Sequence, residues 1–264
     1  MLLQRAPTNA LRPFVTALWA SDEGASGGAG REHVLPTGAA HLVVRVRGAP
    51  LRVFRGPEDR TGTLCARALL GGPRATHYVR ALAGAGSYGA QFAPDGMAAL
   101  LGLDADELAG RHSPLADLWG GAAREAEERL AEARSPEAGL EVLEGLLLAR
   151  LARLRPNPPL VAEALAAFAR GASVAEAVRA SGRSHRSFVE LFRRAVGLAP
   201  KVHCRVQRLQ RVLARPRGSL GVLALAAGYS DQAHLTREFR ALTGLTPSEH
   251  RRLAPAHAHH VRVP

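Results

Sequence analysis

The sequence predicts an α+β chain of two domains, in which a β-rich body with helices precedes an all-α domain. Three observations predict this class. First, three prolines fall within Arg155–Pro159, which cannot continue a helix and therefore mark a linker. Second, the charge balance changes at the same point. Third, the chain beyond it repeats one helical pattern. The predicted domains are residues 1–155 and 156–254, followed by a disordered tail at residues 255–264.

Positive charge is concentrated behind the linker. The whole chain has a net charge of +12. Residues 1–155 hold 18 arginines against 17 acidic residues, whereas residues 156–264 hold 17 basic against 6 acidic residues, a net charge of +11. A positive field on one domain favours a polyanionic partner, either nucleic acid or an anionic membrane surface. The membrane is the weaker alternative, because the arginines are spread over several short helices.

Several other classes of protein are not predicted. No uncharged apolar run of about 18 residues is present, and the first residues do not resemble a secretory signal, so we expect a cytoplasmic protein. Cys65 and Cys204 lie far apart and form no CxxC pair, and we expect both thiols to be inert. Since no phosphate loop or Ser/His/Asp arrangement occurs, we expect neither a catalytic site nor a cofactor.

The first domain changes from β-like to helical texture along the chain. His41–Val46 and Leu51–Phe54 predict strands, and the glycines of Gly24–Gly30 predict a loop. Later, apolar residues recur at the spacing of a helix face. The predicted helices are Met97–Leu101, Asp104–Leu108, Ala122–Ala133 and Pro136–Leu154.

Helix signals follow one another through the second domain. Ser173 and Glu176 form a capping-box pattern, and Ser184 and Ser219 are further candidate caps. Gly182, Gly197, Gly228 and Gly244 follow predicted helices. The predicted helices are Val161–Arg170, one from Ser173 to Gly182, one from Ser184 to Gly197, Pro200–Ala214, one from Ser219 to Ala227, and Asp231–Thr243, with a turn at Arg215–Gly218.

The second domain repeats itself at an offset of 47 residues. Phe192 matches Phe239, and the Gly-Leu-x-Pro at Gly197–Pro200 matches the one at Gly244–Pro247. Each copy is a short helix, a tight turn and a longer helix, which is the helix-turn-helix arrangement. Packing in a plain helical bundle would give the same apolar pattern. The outward residues favour DNA binding, because they can bond base edges or phosphates. They are Arg186, Arg193 and Arg194 in one copy and Gln232, His234, Thr236 and Arg237 in the other.

The segment Ala226–Arg240, closed by Thr243–Pro247, resembles the signature of the AraC/XylS regulators, and the first copy resembles their more variable first unit. The resemblance covers residues 160–253 and implies sequence-specific DNA binding that regulates transcription. It implies that two recognition helices enter successive major-groove segments about 34 Å apart. The implied base-reading residues are Arg186, Val189, Glu190, Gln232, Ala233, Thr236 and Arg237, and the implied phosphate contacts are Ser184, Ser187, Arg193, Arg194 and His234.

Four segments of the first domain resemble the cupin-like N-terminal domain of one AraC subgroup. They are Leu11–Val15, Leu35–Gly38, Phe92–Gly96 and Pro114–Gly120. This resemblance implies a small β-barrel with helices, and, by analogy alone, the sensing of an effector. The expected partners are double-stranded DNA and a small-molecule effector, with no membrane, for a chain that is a monomer or a homodimer.

A second hypothesis is an enzyme whose metal-binding barrel is carried on a DNA-binding module. His33, His41 and His77 are its candidate ligands, but no H-x-H with a spaced Glu and a third His is present. A histidine in a β-rich domain is more often a packed or surface residue, so no metal is predicted. A stoichiometric metal with three side-chain ligands would favour the enzyme.

Overall fold

The computed structural model describes residues 2–22, 30–56, 58–82, 84–215 and 218–263. Two predicted turns lie partly outside these residues. They are the Gly24–Gly30 loop, of which only Gly30 is described, and the Arg215–Gly218 turn, of which only Arg215 and Gly218 are described. The elements of the first domain are strands β1 (Leu2–Arg5), β2 (Val15–Asp22), β3 (Gly30–Val34), β4 (His41–Arg45), β5 (Arg52–Phe54), β6 (Thr63–Leu64), β7 (Ala68–Gly71), β8 (Tyr78–Leu82), β9 (Gly86–Phe92) and β10 (His112–Pro114), with helices α1 (Gly96–Leu101), α2 (Leu115–Trp119), α3 (Gly121–Ala131) and α4 (Pro136–Leu148). Those that follow are helices α5 (Pro159–Ala169), α6 (Val174–Ala180), α7 (His185–Val196), α8 (Pro200–Leu213), α9 (Leu220–Ala227), α10 (Gln232–Thr243) and α11 (Pro247–Leu253), and strand β11 (His260–Val263).

The expected two-domain α+β fold is confirmed, with the strands of the first domain in two antiparallel sheets. Their orders are β1-β2-β9-β4-β7-β10 and β11-β3-β8-β5-β6. One continuous closed barrel is therefore not formed by the described strands; both sheets instead line a shared cavity.

The larger sheet separates a helix-covered core from that cavity. Leu18, Ala90, Leu42 and Leu70 form one row of paired residues across four strands, and none is accessible to solvent. They belong to one apolar cluster with residues of α3 and α4. Because side chains alternate along a strand, the residues on either side of this row point to the opposite face, which lines the cavity.

The last helix of the first domain and the linker lie close to the prediction. Ser135 caps α4 and Pro136 begins it, as expected of a proline in the first turn. The α-helix ends at Leu148 rather than at Leu154, and a 3-10 turn, Ala149–Arg153, replaces its last residues. After the linker α5 begins at Pro159, within the predicted proline-rich segment.

The two copies of the 47-residue repeat also end their long helices in the same way. Gly197 and Gly244 each end a long helix in the left-handed conformation, with φ values of 80° and 76°. Pro200 and Pro247 then each begin the following helix. The first copy packs around Phe188 and Phe192, and the second around Leu235 and Phe239. Helix α11 was not predicted, although Thr246 and Glu249 supply a complete capping box for it.

The prediction of a disordered tail is wrong for the described residues 255–263. The chain returns to the first domain after α11, and β11 pairs antiparallel with β3. The Leu35 amide donates to the His259 carbonyl at 2.8 Å. Val261 is fully buried in a cluster with Leu35 and with Leu209 of α8. Backbone pairing on a sheet edge and one buried side chain therefore tie down an end that would otherwise fray.

Further contacts join the two domains. The Gln210 side chain donates to the Pro36 carbonyl at 2.7 Å, and the His77 amide donates to the Leu242 carbonyl at 2.8 Å. The rings of His33 and His77 stack with centroids 4.4 Å apart, and His33 Nδ1 lies 3.1 Å from the Thr243 carbonyl oxygen. Among the described residues, no helix is long and apolar enough to span a bilayer.

Candidate nucleic-acid interface and ligand cavity

Helix α7 carries the first group of predicted DNA-binding residues. The Ser184 hydroxyl accepts from the Ser187 amide at 3.3 Å, so these two serines form the cap at which the helix begins. Arg186 and Glu190 are exposed and make no hydrogen bond or ion pair with another described residue. Val189 is instead partly buried against the core of the first copy. Of the predicted base-reading residues on α7, Val189 is therefore less accessible than Arg186 and Glu190.

The C-terminal half of α7 faces the first domain. Arg194 Nε lies 3.0 Å from Asp104 Oδ2, and Arg193 Nη2 lies 3.5 Å from Asp106 Oδ2. The two aspartates flank the start of a 3-10 turn, Ala105–Glu107, which packs against α7. Two of the predicted phosphate contacts are thus paired with acidic groups of the same chain.

Helix α10 carries the second group. Asp231 accepts from the His234 amide at 2.7 Å and begins the helix. Gln232, Ala233 and Arg237 are exposed, and neither polar side chain makes a hydrogen bond or ion pair with another described residue. Residues four apart lie on one side of a helix, so these three residues share a face with Thr236.

Two other predicted contacts on α10 serve local structure. The Thr236 hydroxyl donates to the Gln232 carbonyl at 2.9 Å. The His234 ring lies edge-on to the Tyr229 ring, with centroids 5.3 Å apart, and its Nδ1 is 3.1 Å from the Ser230 hydroxyl oxygen. Both side chains are partly buried. The polar group of His234 therefore helps to fix the turn that precedes α10, and that of Thr236 helps to fix the first turn of the helix.

A residue that the sequence analysis missed holds α10 against α8. Both Glu238 oxygens accept from the Arg205 guanidinium, at 2.6 and 3.0 Å. Burial raises the pKa of Glu238, but the hydrogen bond and charge of Arg205 outweigh it, so the net pKa is lowered. A forked pair of this kind fixes orientation. Its sequence signal was a glutamate between Arg237 and Arg240 on α10, but its partner 33 residues away could not be identified from spacing.

The cavity between the two sheets has a volume of about 970 Å³. On the larger sheet, Gln91, His41, Gly71 and His112 form one row of paired residues that lines it. Gly71 has no side chain, and the His112 ring lies against it, since a Cβ at this position would be 3.7 Å from the ring. A neighbouring row on the same face consists of Trp19, Gly89, Val43 and Leu69.

The smaller sheet and the tail supply the other walls. Glu32 on β3 accepts from the guanidinium of Arg80 on β8 and lies 3.1 Å from Nδ1 of His260 on β11. Burial raises the pKa of Glu32, but His260 and Arg80 together bring it down to about 2. Tail residue His259 also lines the cavity, and its Nε2 lies 2.7 Å from Oε1 of Gln210 on α8. The His259 side chain therefore touches both the cavity and α8.

Three cavity histidines have strongly lowered pKa values. Burial is the largest cause for each, and it lowers the pKa of His41, His112 and His259 to about 4. Positive charges add to this effect, because His259, His260 and Arg74 act on His41, and Arg74 acts on His112. The cavity wall is therefore an environment that resists additional positive charge.

The three histidines considered as metal ligands are not brought together. His41 lines the cavity, whereas His33 and His77 stack on each other at the domain interface. Among the described residues, no group of three or more His, Cys, Asp or Glu side chains is arranged to hold a metal ion. Burial raises the pKa of both Cys65 and Cys204, which disfavours their reactive thiolate form.

Two protein families match the chain. Residues 177–253 match the helix-turn-helix domain model HTH_18, which is of the AraC type. Residues 3–114 match a domain of unknown function, DUF6597. No curated protein is similar enough to the chain to count as a match.

Three solved structures illustrate the likeness. The xylose-binding transcription activator xylR is 16% identical over 44% of this chain, with a TM-score of 0.32, and this chain spans only 38% of its length. An apo form of ToxT from Vibrio cholerae is 9% identical over 93% of this chain and 98% of its own, with a TM-score of 0.47. The AraC-like transcriptional activator CuxR is 17% identical over 80% of this chain and 86% of its own, with a TM-score of 0.22.

The exposed faces of α7 and α10 and the matched domain models lead to one identification. The polar residues Arg186, Gln232 and Arg237 stand on the second helices of two helix-turn-helix units, as the arrangement requires for reading a major groove. Residues 177–253 therefore form a helix-turn-helix domain of the AraC type, and this domain follows one of the DUF6597 type.

Proposed function

We propose that this regulator is controlled by a small molecule that binds in the cavity of its first domain. One observation carries the proposal: the cavity is walled partly by the tail that follows the second helix-turn-helix unit. A volume of about 970 Å³ is within the range of small-molecule sites, which is roughly 300–1,000 Å³. A ligand there contacts segments of both domains, so it can stabilise one domain arrangement over another.

The proposal assigns DNA recognition to α7 and α10. Arg186, Glu190, Gln232, Ala233 and Arg237 contact base edges, with Val189 and Thr236 contributing less because each is partly buried. Ser184, Ser187, Arg193, Arg194 and His234 contact phosphates. Arg193 and Arg194 exchange Asp106 and Asp104 for phosphates on binding, which links DNA affinity to the position of the first domain.

We propose further that the chain catalyses no reaction and acts in the cytoplasm as a monomer or homodimer. Residues 1–155 sense the ligand and residues 156–254 bind DNA. A metal-dependent enzyme would need a ligand set in the cavity. Three of the described histidines that line the cavity, His41, His259 and His260, are already paired with Thr37, Gln210 and Glu32 respectively.

The effector part of the proposal is tested in two steps. A thermal-shift screen of metabolites identifies compounds that raise the unfolding midpoint of the full chain. Fluorescence anisotropy with a DNA duplex selected from a random pool then measures affinity with and without each compound. We expect at least one stabilising compound to change DNA affinity about fivefold or more, the usual scale of coupling between sites. Equal affinities with every such compound would overturn effector control, while DNA binding itself would stand.

A further inference from the structure

The cavity has two adjoining surfaces of different chemistry. The row that contains His41, Gly71 and His112 is polar, and the row that contains Trp19 and Leu69 is apolar. The two rows are two residues apart along each strand, a separation of about 7 Å. The Trp19 ring lies directly over Gly89, where a side chain would clash with it. A flat apolar surface thus adjoins the polar row.

The charged groups around the cavity are predominantly basic. Of the described residues that line it, four are arginines, whereas only Asp22 and Glu32 are acidic, and five histidines add ring N–H donors. Both acids already have basic partners. Asp22 lies 2.8 Å from Arg47, and Glu32 pairs with Arg80 and His260. Both acids of the wall therefore already have a basic partner, and Arg74 is a further basic group of the cavity wall.

Arg74 brings a guanidinium to the polar row. It lies 4.3 Å over the centre of the Tyr78 ring, and the Tyr78 ring is 4.7 Å from that of His112. The one hydrogen bond that it makes to another described residue goes to the Gly110 carbonyl at 3.1 Å. A guanidinium has five N–H donors in a planar fork that matches a carboxylate. Arg74 is thus positioned and chemically suited to bind one.

The tail after the second helix-turn-helix unit completes this wall of the cavity. His259 and His260 lie close enough to His41 that their charges, when these rings are protonated, add to the lowering of its pKa by burial. An anion among these groups would reverse that effect, because an opposite charge favours the protonated form of a histidine. The same anion would hold the tail against the first domain.

We infer that the cavity binds an organic acid, whose carboxylate lies among Arg74, His41, His112 and the tail histidine His259 and whose apolar body rests on Trp19 and Leu69. The inference rests on the proposed function and specifies its ligand class. A carboxylate joined to a ring or a short alkyl chain spans the separation between the polar and the apolar row. The acid bridges β7, β10 and the tail, so its binding favours the domain arrangement described here.

Calorimetry on the full chain tests the ligand class with matched probes. The probes are benzoate, 2-naphthoate and decanoate, each compared with its uncharged amide at pH 7. We expect at least one acid to bind about tenfold or more tightly than its amide, because the amide forgoes charge-assisted hydrogen bonds. If every acid binds no more tightly than its amide, or if none binds, the inference is overturned.

Variants locate the acid group. Arg74→Gln and His112→Gln should each weaken binding of the acid about tenfold while leaving the amide unchanged. Arg170→Gln, on the exposed end of α5, removes the same charge outside the cavity and should have no effect. Each variant's thermal midpoint shows whether it folds. Equal acid affinity in wild type and in both cavity variants would contradict the assignment of the carboxylate.

The two proposals fail in different ways. If amides or other neutral compounds bind in preference and change DNA affinity, effector control stands and the organic-acid inference is wrong. If the acids bind with the expected preference and DNA affinity is unaffected, the inference stands and effector control is wrong.

Discussion

On the exposed side of α10, Gln232 and Arg237 keep polar groups that no other described residue uses. Folding alone does not require a glutamine and an arginine there, because neither contacts the core. Glutamine can fork onto adenine and arginine onto guanine, so this pair is suited to base recognition. Thr236 and His234 differ from them, since each already makes a hydrogen bond within the turn or the helix.

Replacing Arg237 tests this assignment directly. Arg237→Ala should weaken binding to the selected duplex by about 1–3 kcal/mol and relax base preference at one position. Fluorescence anisotropy on duplexes with single base changes gives both quantities. Arg170→Ala, at the exposed arginine that directly follows α5, is the control and should reduce affinity less and equally for all sequences. Unchanged affinity and specificity in Arg237→Ala would show that another residue reads the base.

Much of the residue pattern was predictable because helix caps are local. Ser173, Ser184, Ser219, Gly197 and Gly244 can be assigned from neighbours within four residues, and the structure places each at a helix end. Val189 could not be placed from spacing alone. It lies three residues before Phe192, so it shares part of the buried side of α7 and packs on the core.

At the scale of elements, α7 is held between its own bundle and the first domain. Its buried side packs on Val161 and Phe168, and two arginines near its C-terminus pair with Asp104 and Asp106. Exposed ion pairs of this kind contribute about 0.2–1 kcal/mol each. They are weak enough for phosphates to displace them, and strong enough together to influence affinity.

Removing the two aspartates should therefore strengthen DNA binding. In Asp104→Asn/Asp106→Asn, Arg193 and Arg194 lose their competing partners, and we expect a severalfold rise in affinity at low salt. The double variant Asp117→Asn/Glu132→Gln removes two exposed acids elsewhere in the first domain and controls for net charge. Equal gains in both double variants would show that the ion pairs themselves do not restrain α7.

The tail was the largest error of sequence analysis at this scale. Strand β11 has four residues, and its partner β3 lies more than 200 residues earlier in the chain. A histidine-rich segment carries no period that identifies such a partner. Within the strand, Val261 is the apolar residue whose burial the structure describes, and it packs on Leu35 and Leu209.

Shortening Val261 tests how firmly the tail is bound. Val261→Ala removes two buried carbon atoms, so the free energy of unfolding should fall by about 2 kcal/mol. Val222→Ala on α9 makes the same change at a side chain that is 66% exposed, and it should alter stability by less than about 0.5 kcal/mol. Denaturant unfolding measures both. Equal stability of the two variants would contradict the packing of β11.

At the scale of the molecule, buried histidines make stability depend on pH. The pKa values of His41, His112, His203 and His259 are about 4 when folded, below the usual value of 6.5. Between these values the unfolded chain binds more protons, so stability falls as the pH drops from about 6.5 towards 4. Glu32, with its pKa lowered to about 2, loses its contribution only as the pH falls below 4.5.

We therefore expect the thermal midpoint of the ligand-free chain to fall between pH 7 and pH 5. His112→Gln should reduce the slope of that fall, because one buried group no longer titrates. A midpoint that is constant or rises as the pH falls from 7 to 5 would contradict neutral burial of these histidines.

The overall division of the chain could be predicted, whereas the way its parts meet could not. Prolines, charge balance and the repeat identify the two domains, since each is visible in short stretches of sequence. The cavity instead depends on the pairing of His41 with Gly71 and of Gly71 with His112, and on β11 returning to β3. Long-range register of this kind has no local signal.

Selection of DNA from a random duplex pool by the full chain tests the central claim most directly. Two helix-turn-helix units predict an enriched site with two base-specific segments about one helical turn, 10–10.5 base pairs, apart. Affinity for that site should fall linearly in log K against log salt, as phosphate contacts require. Enrichment of no sequence, with weak binding that is equal on every duplex, would contradict a sequence-specific regulator.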